Sequence, residues 1–369
     1  MKPLNVMLKN KRQGGERMQT VTIKIRIYPT DASRLKDLAH EYIQVINHVT
    51  EEAAQKGSFP NVTTKDIPAN LPSAVLNQAI RDAKSVYRKT KKLGKRPILK
   101  KPVYYVNNQN YTMGEASVAF PIMVDGKAKK TLFPATITDR DREMLENAKF
   151  GLLRVVEKSG KWYAQVSLEV PTKHESSNIA EMGVDLGLKV PAVAVTSTGK
   201  TKFMGNGRQT KYIRRTYQSR RRKLGKLKKR KAIKKLGNKE QRWIKDQNHK
   251  ISRQVVNLAK QEGVSVIKLE CLATIRQTAR TSRKHAKNLH TWSFYQLQQF
   301  VTYKANLAGI RVVEVDPAYT SQTCPACGKR NHANDRKYQC SCGFHTHRDR
   351  VGAINILRQP VADGNSRPA

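Results

Sequence analysis

Apolar and polar residues alternate along residues 21–27, as expected for a half-buried β-strand. Over residues 35–53 the apolar residues instead recur every three or four positions, which is the period of an amphipathic helix. Asp31 can cap the start of this helix, and Gly57 can end it. The pattern predicts that the folded region begins near Met18 with a strand and continues into a helix.

A second helix is predicted after Pro72, with Leu76, Ala79 and Ala83 on its apolar face. The opposite face combines polar and basic side chains that could contact both the bases and the phosphates of a nucleic acid. A solvated helix face explains the same pattern equally well. The candidate nucleic-acid contacts on this face are Ser73, Asn77, Arg81, Lys84 and Arg88.

Short alternating runs separated by turn signals follow a basic linker at residues 91–101. Asp125-Gly126 and the run at residues 158–160 are typical of β-hairpins. The strand at residues 21–27 needs sheet partners, so we expect it to join these later strands in a small barrel. Residues 31–96 would then be a helical insertion into a β domain.

The pattern changes after Met182, where strands are predicted from residue 182, at 191–196 and near Lys202. Helices and further strands at residues 264–270 and 311–316 follow this meander. That order is typical of an RNase H-like α/β core. The predicted fold class is therefore mixed and multidomain, with a β domain followed by an α/β domain.

The net charge of the chain indicates what kind of partner this fold binds. The chain of 369 residues has 71 Lys and Arg against 28 Asp and Glu, a formal net charge of +43. Such a protein is expected to condense on a polyanion and to release counterions as it does so. Since 38% of the residues are hydrophobic, real cores can form, and a disordered basic tail is excluded.

Fifteen of these basic residues lie within residues 208–235, in a stretch without any Asp or Glu. A solvated basic helix is one explanation, but so dense a run of like charge repels itself unless a polyanion neutralises it. We therefore expect this segment to contact a nucleic-acid backbone. The candidate contacts are Arg220, Arg221, Arg222, Lys223, Lys228 and Lys229.

No apolar run approaches the roughly 20 residues of a membrane span. The first residues also lack the apolar core of a signal peptide. We therefore expect no membrane partner and a cytoplasmic, nucleoid-associated location.

Three acidic residues lie in surroundings that are otherwise poor in acid. Asp185 and Glu270 lie on apolar strand-like runs, and Asp349 opens a helix-like run. A fold that joins these places would gather three carboxylates, which two Mg²⁺ or Mn²⁺ ions require for phosphodiester hydrolysis. Each residue alone is more often an ordinary exposed acid. Together they predict the catalytic and metal-binding residues of a nuclease.

Four of the five cysteines occur as two closely spaced pairs, Cys324 with Cys327 and Cys340 with Cys342. Four thiolates suit one tetrahedral, structural Zn²⁺. Because the second pair has only one intervening residue, His345 or His347 could compete for a ligand position. Cys271 stands apart and is expected to be a small buried residue.

Five motifs together make the chain resemble TnpB, the RNA-guided nuclease of the OrfB family that insertion-sequence transposons carry and a relative of type V CRISPR effectors. The resemblance is most specific over residues 182–357 and weaker over 18–175. The motifs are GVDLG at 183–187, IKLECL at 267–272, YKANLAGI at 303–310 with Trp292, YTSQTCPACG at 319–328 and CGFHTHRDRVGAINI at 342–356.

The resemblance implies that Asp185, Glu270 and Asp349 take the three catalytic positions of a RuvC nuclease domain. It also implies a guide RNA from the transposon end, a target-adjacent motif on double-stranded DNA, a prokaryotic cytoplasm and association with a transposase-encoding element. The implied domains are a basic extension (1–17), a wedge β-barrel (18–30 and 97–175), a helical recognition domain (31–96), the RuvC domain (178–322 and 343–358), a zinc-binding insertion (323–342) and a tail (359–369).

Three other functions remain in view. A compact type V CRISPR effector has nearly the same protein sequence features and would differ in the source of its guide. A binding-only repressor derived from TnpB would be expected to lose at least one metal carboxylate, and none is lost here. A DNA-joining transposase typically has Glu as its third carboxylate, where this chain has Asp349.

Overall fold

The computed structural model describes residues 12–13, 16–146, 148–172, 179–272, 292–333 and 335–360. These residues belong to two compact units, Met1–Pro171 and Thr172–Ala369. Most of the predicted basic extension at 1–17, and the predicted tail beyond residue 360, lie outside the described residues. The same is true of residues 273–291 within the predicted nuclease domain.

The first unit is built on an eight-stranded sheet with the order β3-β7-β8-β2-β6-β5-β4, in which β1 pairs with β2. The predicted strand at 21–27 does join the later strands, since β2 pairs with β8 from Met18 to Ile27. The strands are β1 (Arg12–Gln13), β2 (Glu16–Ile27), β3 (Tyr104–Val106), β4 (Thr112–Met113), β5 (Ser117–Val124), β6 (Lys127–Thr136), β7 (Lys149–Lys158) and β8 (Lys161–Pro171).

This sheet curls so that β3, at one end of the strand order, meets β5 near the other end. The Tyr104 hydroxyl donates a hydrogen bond of 2.7 Å to the Pro121 carbonyl. The rings of Tyr104 and Phe120 lie 6.2 Å apart, and Phe120 stacks on Phe133 at 4.2 Å. Buried aromatic side chains therefore close the curled sheet around a core.

Both predicted hairpins are confirmed. Asp125 and Gly126 have φ values of 52° and 73°, and Ser159 and Gly160 have values of 55° and 73°. Two consecutive residues with positive φ form the tight turn whose twist matches that of antiparallel strands.

Two long helices, α1 (Ala32–Gln55) and α2 (Ser73–Leu93), follow β2 and precede β3. The Asp31 side chain accepts a hydrogen bond from the Arg34 backbone N–H, which confirms the predicted cap. The apolar faces of both helices contribute to the same core as the sheet. A short acidic helix, α3 (Asp139–Glu146), lies between β6 and β7.

The second unit has a five-stranded sheet with the order β11-β10-β9-β12-β13. β9, β10 and β11 form an antiparallel meander, whereas β9, β12 and β13 are parallel. The predicted strands in this half are confirmed. They are β9 (Ala180–Asp185), β10 (Ala192–Thr196), β11 (Thr201–Met204), β12 (Val264–Glu270) and β13 (Arg311–Val315).

Helices and a small two-stranded sheet complete this unit. The basic segment forms two helices, because the chain turns at Lys228, which has a φ of 55°. The helices are α4 (Gly207–Lys226), α5 (Arg230–Leu236), α6 (Lys239–Gln261), α7 (Phe294–Leu307) and α8 (Arg348–Arg358). The small sheet pairs β14 (Lys337–Gln339) with β15 (His345–His347).

Helix α8 packs so closely on β9 that only glycine fits at position 183. A Cβ atom there would lie 2.2 Å from the Ala353 carbonyl oxygen and 2.5 Å from the Leu357 backbone nitrogen. From β12, buried Lys268 donates hydrogen bonds of 2.9 Å and 2.8 Å to the carbonyls of Leu357 and Gln359. These contacts fix α8, and with it Asp349, against the sheet.

We expect Gly183→Ala to lower the free energy of unfolding by about 1–3 kcal/mol or more, since backbone atoms on α8 would have to move. Thermal or denaturant unfolding measures this. Gly225→Ala is the matched control, because a Cβ on this α4 glycine meets nothing within 4 Å. Equal effects of the two substitutions would contradict the close packing of α8.

Within the parts of the chain that the structure describes, we find no helix with both the length and the apolar character that crossing a membrane requires.

Candidate active site

Asp185 and Glu270 lie side by side at the ends of two parallel strands. Asp185 is the last residue of β9 and Glu270 the last of β12, and the preceding residues Val184 and Leu269 are partners in the strand pairing. Asp349 is the second residue of α8, which packs against β9. The structure therefore brings the three predicted carboxylates to one place.

Burial perturbs the carboxyl groups of Asp185 and Glu270, and neighbouring negative charge adds to the effect at Asp185. Burial raises the pKa of Asp185 well above its usual range, and the charges of Glu270 and Asp349 raise it further. Part of the Asp185 residue remains accessible, but its carboxyl group is surrounded closely enough for burial to dominate. Burial also raises the pKa of Glu270, which is 8% exposed. Such a cluster of like charges costs stability unless a cation compensates it.

Each of the other two carboxylates has one specific partner. The Thr320 hydroxyl donates a hydrogen bond to Glu270 Oε1. Arg336 donates to Asp349 Oδ1 and forms an ion pair with it. The second oxygen of Asp349, Oδ2, is buried and has no hydrogen-bond partner among the described residues; His347 Nδ1, which accepts a hydrogen bond from the Asp349 backbone, lies 4.0 Å from it. An orphaned anionic oxygen of this kind points to a missing cation.

Helix α8 contacts each part of this cluster. It carries Asp349, and a Cβ at Gly352 would lie 3.1 Å from Asp185 Oδ2, so the helix backbone passes directly over Asp185. One turn further on, the Asn355 amide donates hydrogen bonds of 2.7 Å to the carbonyls of Thr320 and Thr323.

The four predicted zinc ligands also come together. Their sulfur atoms lie within 4.8 Å of one another, with 3.7 Å between Cys324 and Cys342 and 3.5 Å between Cys327 and Cys340. Four thiolates about 2.3 Å from a tetrahedral Zn²⁺ would be separated by roughly 3.8 Å. A disulfide would require about 2.05 Å. The donor set and its spacing therefore fit one zinc ion.

Neither histidine competes for this site. His347 caps α8, where its Nδ1 accepts a hydrogen bond of 3.2 Å from the Asp349 backbone N–H. His345 Nδ1 lies 3.2 Å from the Gly343 carbonyl oxygen. A hydrogen bond from the Cys342 backbone lowers the pKa of the Cys340 thiol to about 6, whereas hydrogen bonds with the other sulfur atoms of the cluster raise the pKa of the Cys342 thiol.

The cysteine cluster shares its small core with α8. Cys324, Tyr338 and Cys340 are buried together with Val351 of α8. Arg336, the partner of Asp349, comes one residue before β14. The cysteine cluster and Asp349 are thus joined both by packing and by an ion pair. Cys271 is not part of the cluster and is only partly buried, so the expectation of a small buried residue is wrong in its burial.

The candidate nucleic-acid contacts lie at the surface, with one exception. Ser73, Asn77, Arg81, Lys84 and Arg88 are exposed along one face of α2. In the second unit Arg220, Arg222, Lys223, Lys228 and Lys229 are exposed. Arg221 is partly buried and pairs with buried Glu240 at 2.5 Å, so much of its charge is compensated within the protein.

Sequence reasoning missed Thr320, Arg336, Lys268 and Asn355. Thr320 and Asn355 lie inside the recognised motifs, but nothing in one sequence indicates which acid a threonine will contact. Arg336 is one of 71 basic residues and has no local signal that distinguishes it. Lys268 lies in an apolar strand, and a lysine that is buried there requires buried hydrogen-bond partners. This sequence context was the signal that could have identified it.

Two family models match the chain. Residues 163–276 match the family described as "Probable transposase" (OrfB_IS605). Residues 294–356 match the family described as "Cas12f1-like, TNB domain".

Curated relatives include the "CRISPR-associated endodeoxyribonuclease Cas12f1" of Sulfoacidibacillus thermotolerans, 30% identical over 54% of this chain and 50% of the relative. The "TnpB-like protein MJ0751" of Methanocaldococcus jannaschii is 32% identical over 37% of this chain and 49% of the relative. The chain thus spans about half the length of these curated relatives. The predicted resemblance to TnpB is confirmed by these matches.

The fold is similar to a cryo-EM structure of a Cas12f1–sgRNA–target DNA complex. The TM-score is 0.68 at 14% identity, covering 92% of this chain and 99% of that protein. This likeness confirms a mixed α/β architecture with a curled sheet.

Proposed function

We propose that this chain is an RNA-guided DNA endonuclease of the TnpB type that hydrolyses phosphodiester bonds. The observation that carries the proposal is the cluster of Asp185, Glu270 and Asp349, in which one buried carboxylate oxygen has no hydrogen-bond partner among the described residues. The name of the Cas12f1 relative supports a DNA target, and the sgRNA and target DNA in the complex of the similarly folded Cas12f1 support both partners.

The second unit supports the assignment of an RNase H-like RuvC domain. An antiparallel meander β11-β10-β9 followed by parallel β12 and β13 has carboxylates at the ends of its two central strands. We assign the RuvC domain to residues 178–322 and 343–358, and the zinc insertion to 323–342. In the first unit we assign residues 18–30 and 97–175 to a wedge β-barrel and residues 31–96 to a recognition domain.

Asp185, Glu270 and Asp349 would hold two Mg²⁺ or Mn²⁺ ions. When bound, such ions activate a water nucleophile and stabilise the leaving alkoxide. Of the described residues, only the four cysteines bring three or more candidate ligand atoms within 4.8 Å of one another. The ligand oxygens of the three carboxylates are thus not all within 4.8 Å of one another.

The protein's own side chains prepare this site. The Thr320 hydroxyl donates a hydrogen bond to Glu270, and Arg336 balances one oxygen of Asp349. Asp185, whose pKa is raised most strongly, would exchange its proton for a cation. The four-cysteine zinc site is structural, because all four ligand positions are filled by protein and none is open to substrate.

Guide RNA from a transposon end and target DNA would contact the exposed basic surfaces. A net charge of +43 leaves the free protein self-repelling, so a structured RNA would supply counter-charge as well as the guide. The exposed faces of α2 and of α4–α5 are the proposed contact surfaces.

Changing Arg220, Arg222, Lys223, Lys228 and Lys229 together to Gln should weaken nucleic-acid binding. Each lost phosphate contact should flatten the dependence of log affinity on log salt by about 0.7–0.9. A salt titration of guide-RNA binding measures the slope. Arg140→Gln with Arg142→Gln, on the acidic helix α3, is the control. If each removed charge changed the slope of log affinity against log salt equally in both variants, the α4–α5 surface would not be a specific contact surface.

A compact CRISPR effector is the second candidate, because residues 294–356 match a Cas12f1-like domain. Both candidates predict guided cleavage and differ in the guide. Sequencing the RNA that copurifies after expression with the native flanking DNA separates a transposon-end transcript from a CRISPR repeat transcript.

The decisive test is cleavage of duplex DNA by the purified ribonucleoprotein. We expect Mg²⁺-dependent cutting that follows the guide sequence and stops on nuclease removal of the RNA. If RNA-free protein cut a defined sequence, a nuclease or transposase that reads DNA directly would replace the proposed function.

A further inference from the structure

The carboxylate of Glu270 is held by the segment that leads into the cysteine cluster. Glu270 is 8% exposed and ends β12. In the portion of the chain described by the structure, its one side-chain hydrogen bond comes from the Thr320 hydroxyl. Thr320 is itself 5% exposed. A buried hydroxyl and a buried carboxylate in contact restrict each other's rotation.

The Thr320 hydroxyl has two acceptors but only one hydrogen. Its Oγ1 also lies 3.2 Å from the Pro317 carbonyl oxygen. It can therefore donate to only one of the two at a time. While it donates to Oε1, the remaining lone pairs of Glu270, including those of Oε2, stay free to bind a cation.

Asn355 fixes the backbone that carries Thr320. Both of its 2.7 Å hydrogen bonds go to carbonyls of this segment, those of Thr320 and Thr323. The segment is otherwise constrained by a left-handed residue, Tyr319, with a φ of 58°. Asn355 belongs to α8, the helix that also carries Asp349 and covers Asp185.

We infer that Thr320 is a positioning residue for Glu270 and that Asn355 acts through it, so that α8 sets the geometry of all three carboxylates. This inference rests on the proposed metal-dependent nuclease function. Hydrogen-bonded partners of metal ligands typically change metal affinity by about 10–100-fold when removed.

Thr320→Val removes the hydroxyl and keeps the shape, whereas Thr320→Ser keeps the hydroxyl. Thr323→Val is the matched control, because among the described residues the Thr323 hydroxyl bonds only to the Tyr319 carbonyl, at 3.1 Å. Mn²⁺ binding to each ribonucleoprotein is followed by electron paramagnetic resonance. The Asp185→Asn, Glu270→Gln double variant with the same RNA gives the background.

We expect Thr320→Val to raise the Mn²⁺ concentration for half-occupancy by about 10–100-fold. The Mg²⁺ concentration for half-maximal cleavage should rise in parallel, with zinc content unchanged. Thr320→Ser and Thr323→Val should stay close to the wild-type protein. Asn355→Leu should weaken Mn²⁺ binding in the same direction, and combining it with Thr320→Val should add little, since both act on one contact.

Equal effects of Thr320→Val and Thr323→Val would overturn the inference, as would loss of zinc from Thr320→Val without a change in Mn²⁺ affinity. If the wild-type complex cuts guided DNA but Thr320→Val leaves Mn²⁺ binding intact, only the role of Thr320 fails. If the wild-type complex neither cuts nor binds more Mn²⁺ than the double variant, the proposed function fails and the inference with it.

Discussion

Asp185→Asn is expected to lower guided DNA cleavage by at least about 10³-fold, a loss of about 4 kcal/mol of transition-state stabilisation. The amide keeps the shape of the side chain but removes the charge that would hold a divalent cation. Glu270→Gln and Asp349→Asn should have comparable effects. Guide-dependent DNA binding should survive in all three, because the basic surfaces are untouched. Single-turnover cleavage and a gel-shift assay on the same preparations separate the two properties.

The same substitution should stabilise the protein in the absence of divalent ions. Burial and the neighbouring charges of Glu270 and Asp349 raise the pKa of Asp185, so its ionised form destabilises the fold. Without added divalent ions, and without a chelator that would remove zinc, the wild-type protein should therefore lose stability as the pH rises from 3.8, the ordinary pKa of Asp, towards the raised value. Asp185→Asn should show a flatter pH profile and a higher melting temperature, by about 2–4 °C for each kcal/mol recovered.

Asp246→Asn is the control for both measurements. Asp246 is exposed on α6 and pairs with Lys250 at 2.8 Å, four residues further along the same helix. Removing such a surface ion pair should change stability by less than about 1 kcal/mol and leave cleavage intact. Near-normal Mg²⁺-dependent cleavage by Asp185→Asn would remove this residue from the site.

The contrast between Asp185 and Thr320 shows which site residues can be predicted from a single sequence. Asp185 could be found because it ends an apolar strand in a region without other acids, a local signal. Thr320 could not, because its contact with Glu270 spans 50 residues of chain and depends on how two segments pack. The α/β class could be predicted from the order of elements along the chain, because few arrangements accommodate a meander followed by helices and further strands.

Gly183 is an intermediate case. The sequence shows that Gly183 belongs to the GVDLG motif. It does not show why this position requires glycine, since a glycine in a strand has several explanations. Only the packing of α8 shows that a Cβ would collide with the backbone at Ala353. The basic segment similarly predicted helices, but not that Arg221 would pair with buried Glu240. The apolar face of a helix can be predicted from the spacing of its hydrophobic residues. The residue that a side chain contacts on another helix or strand cannot.

Cys324→Ser should release the zinc ion and disrupt the region that carries Asp349. Four protein thiolates in a closed site contribute binding free energy directly to folding, on the order of 10 kcal/mol for small zinc modules. Cys324 is 2% exposed and shares its core with Tyr338, Cys340 and Val351. We therefore expect zinc content to fall from one ion to near zero and limited proteolysis to cut within residues 323–342.

Cleavage should be lost as a consequence of this local unfolding. Without the zinc module, Arg336 no longer holds Asp349, and Val351 loses the buried side chains that anchor the start of α8. Cys271→Ser is the matched control, since Cys271 makes the same change from thiol to hydroxyl outside the cluster. It should retain zinc and activity. Metal analysis that finds no zinc in the wild-type protein, or equal zinc in both variants, would contradict a structural zinc site. Full cleavage by zinc-free Cys324→Ser would instead show that α8 holds Asp349 through its packing on β9 alone.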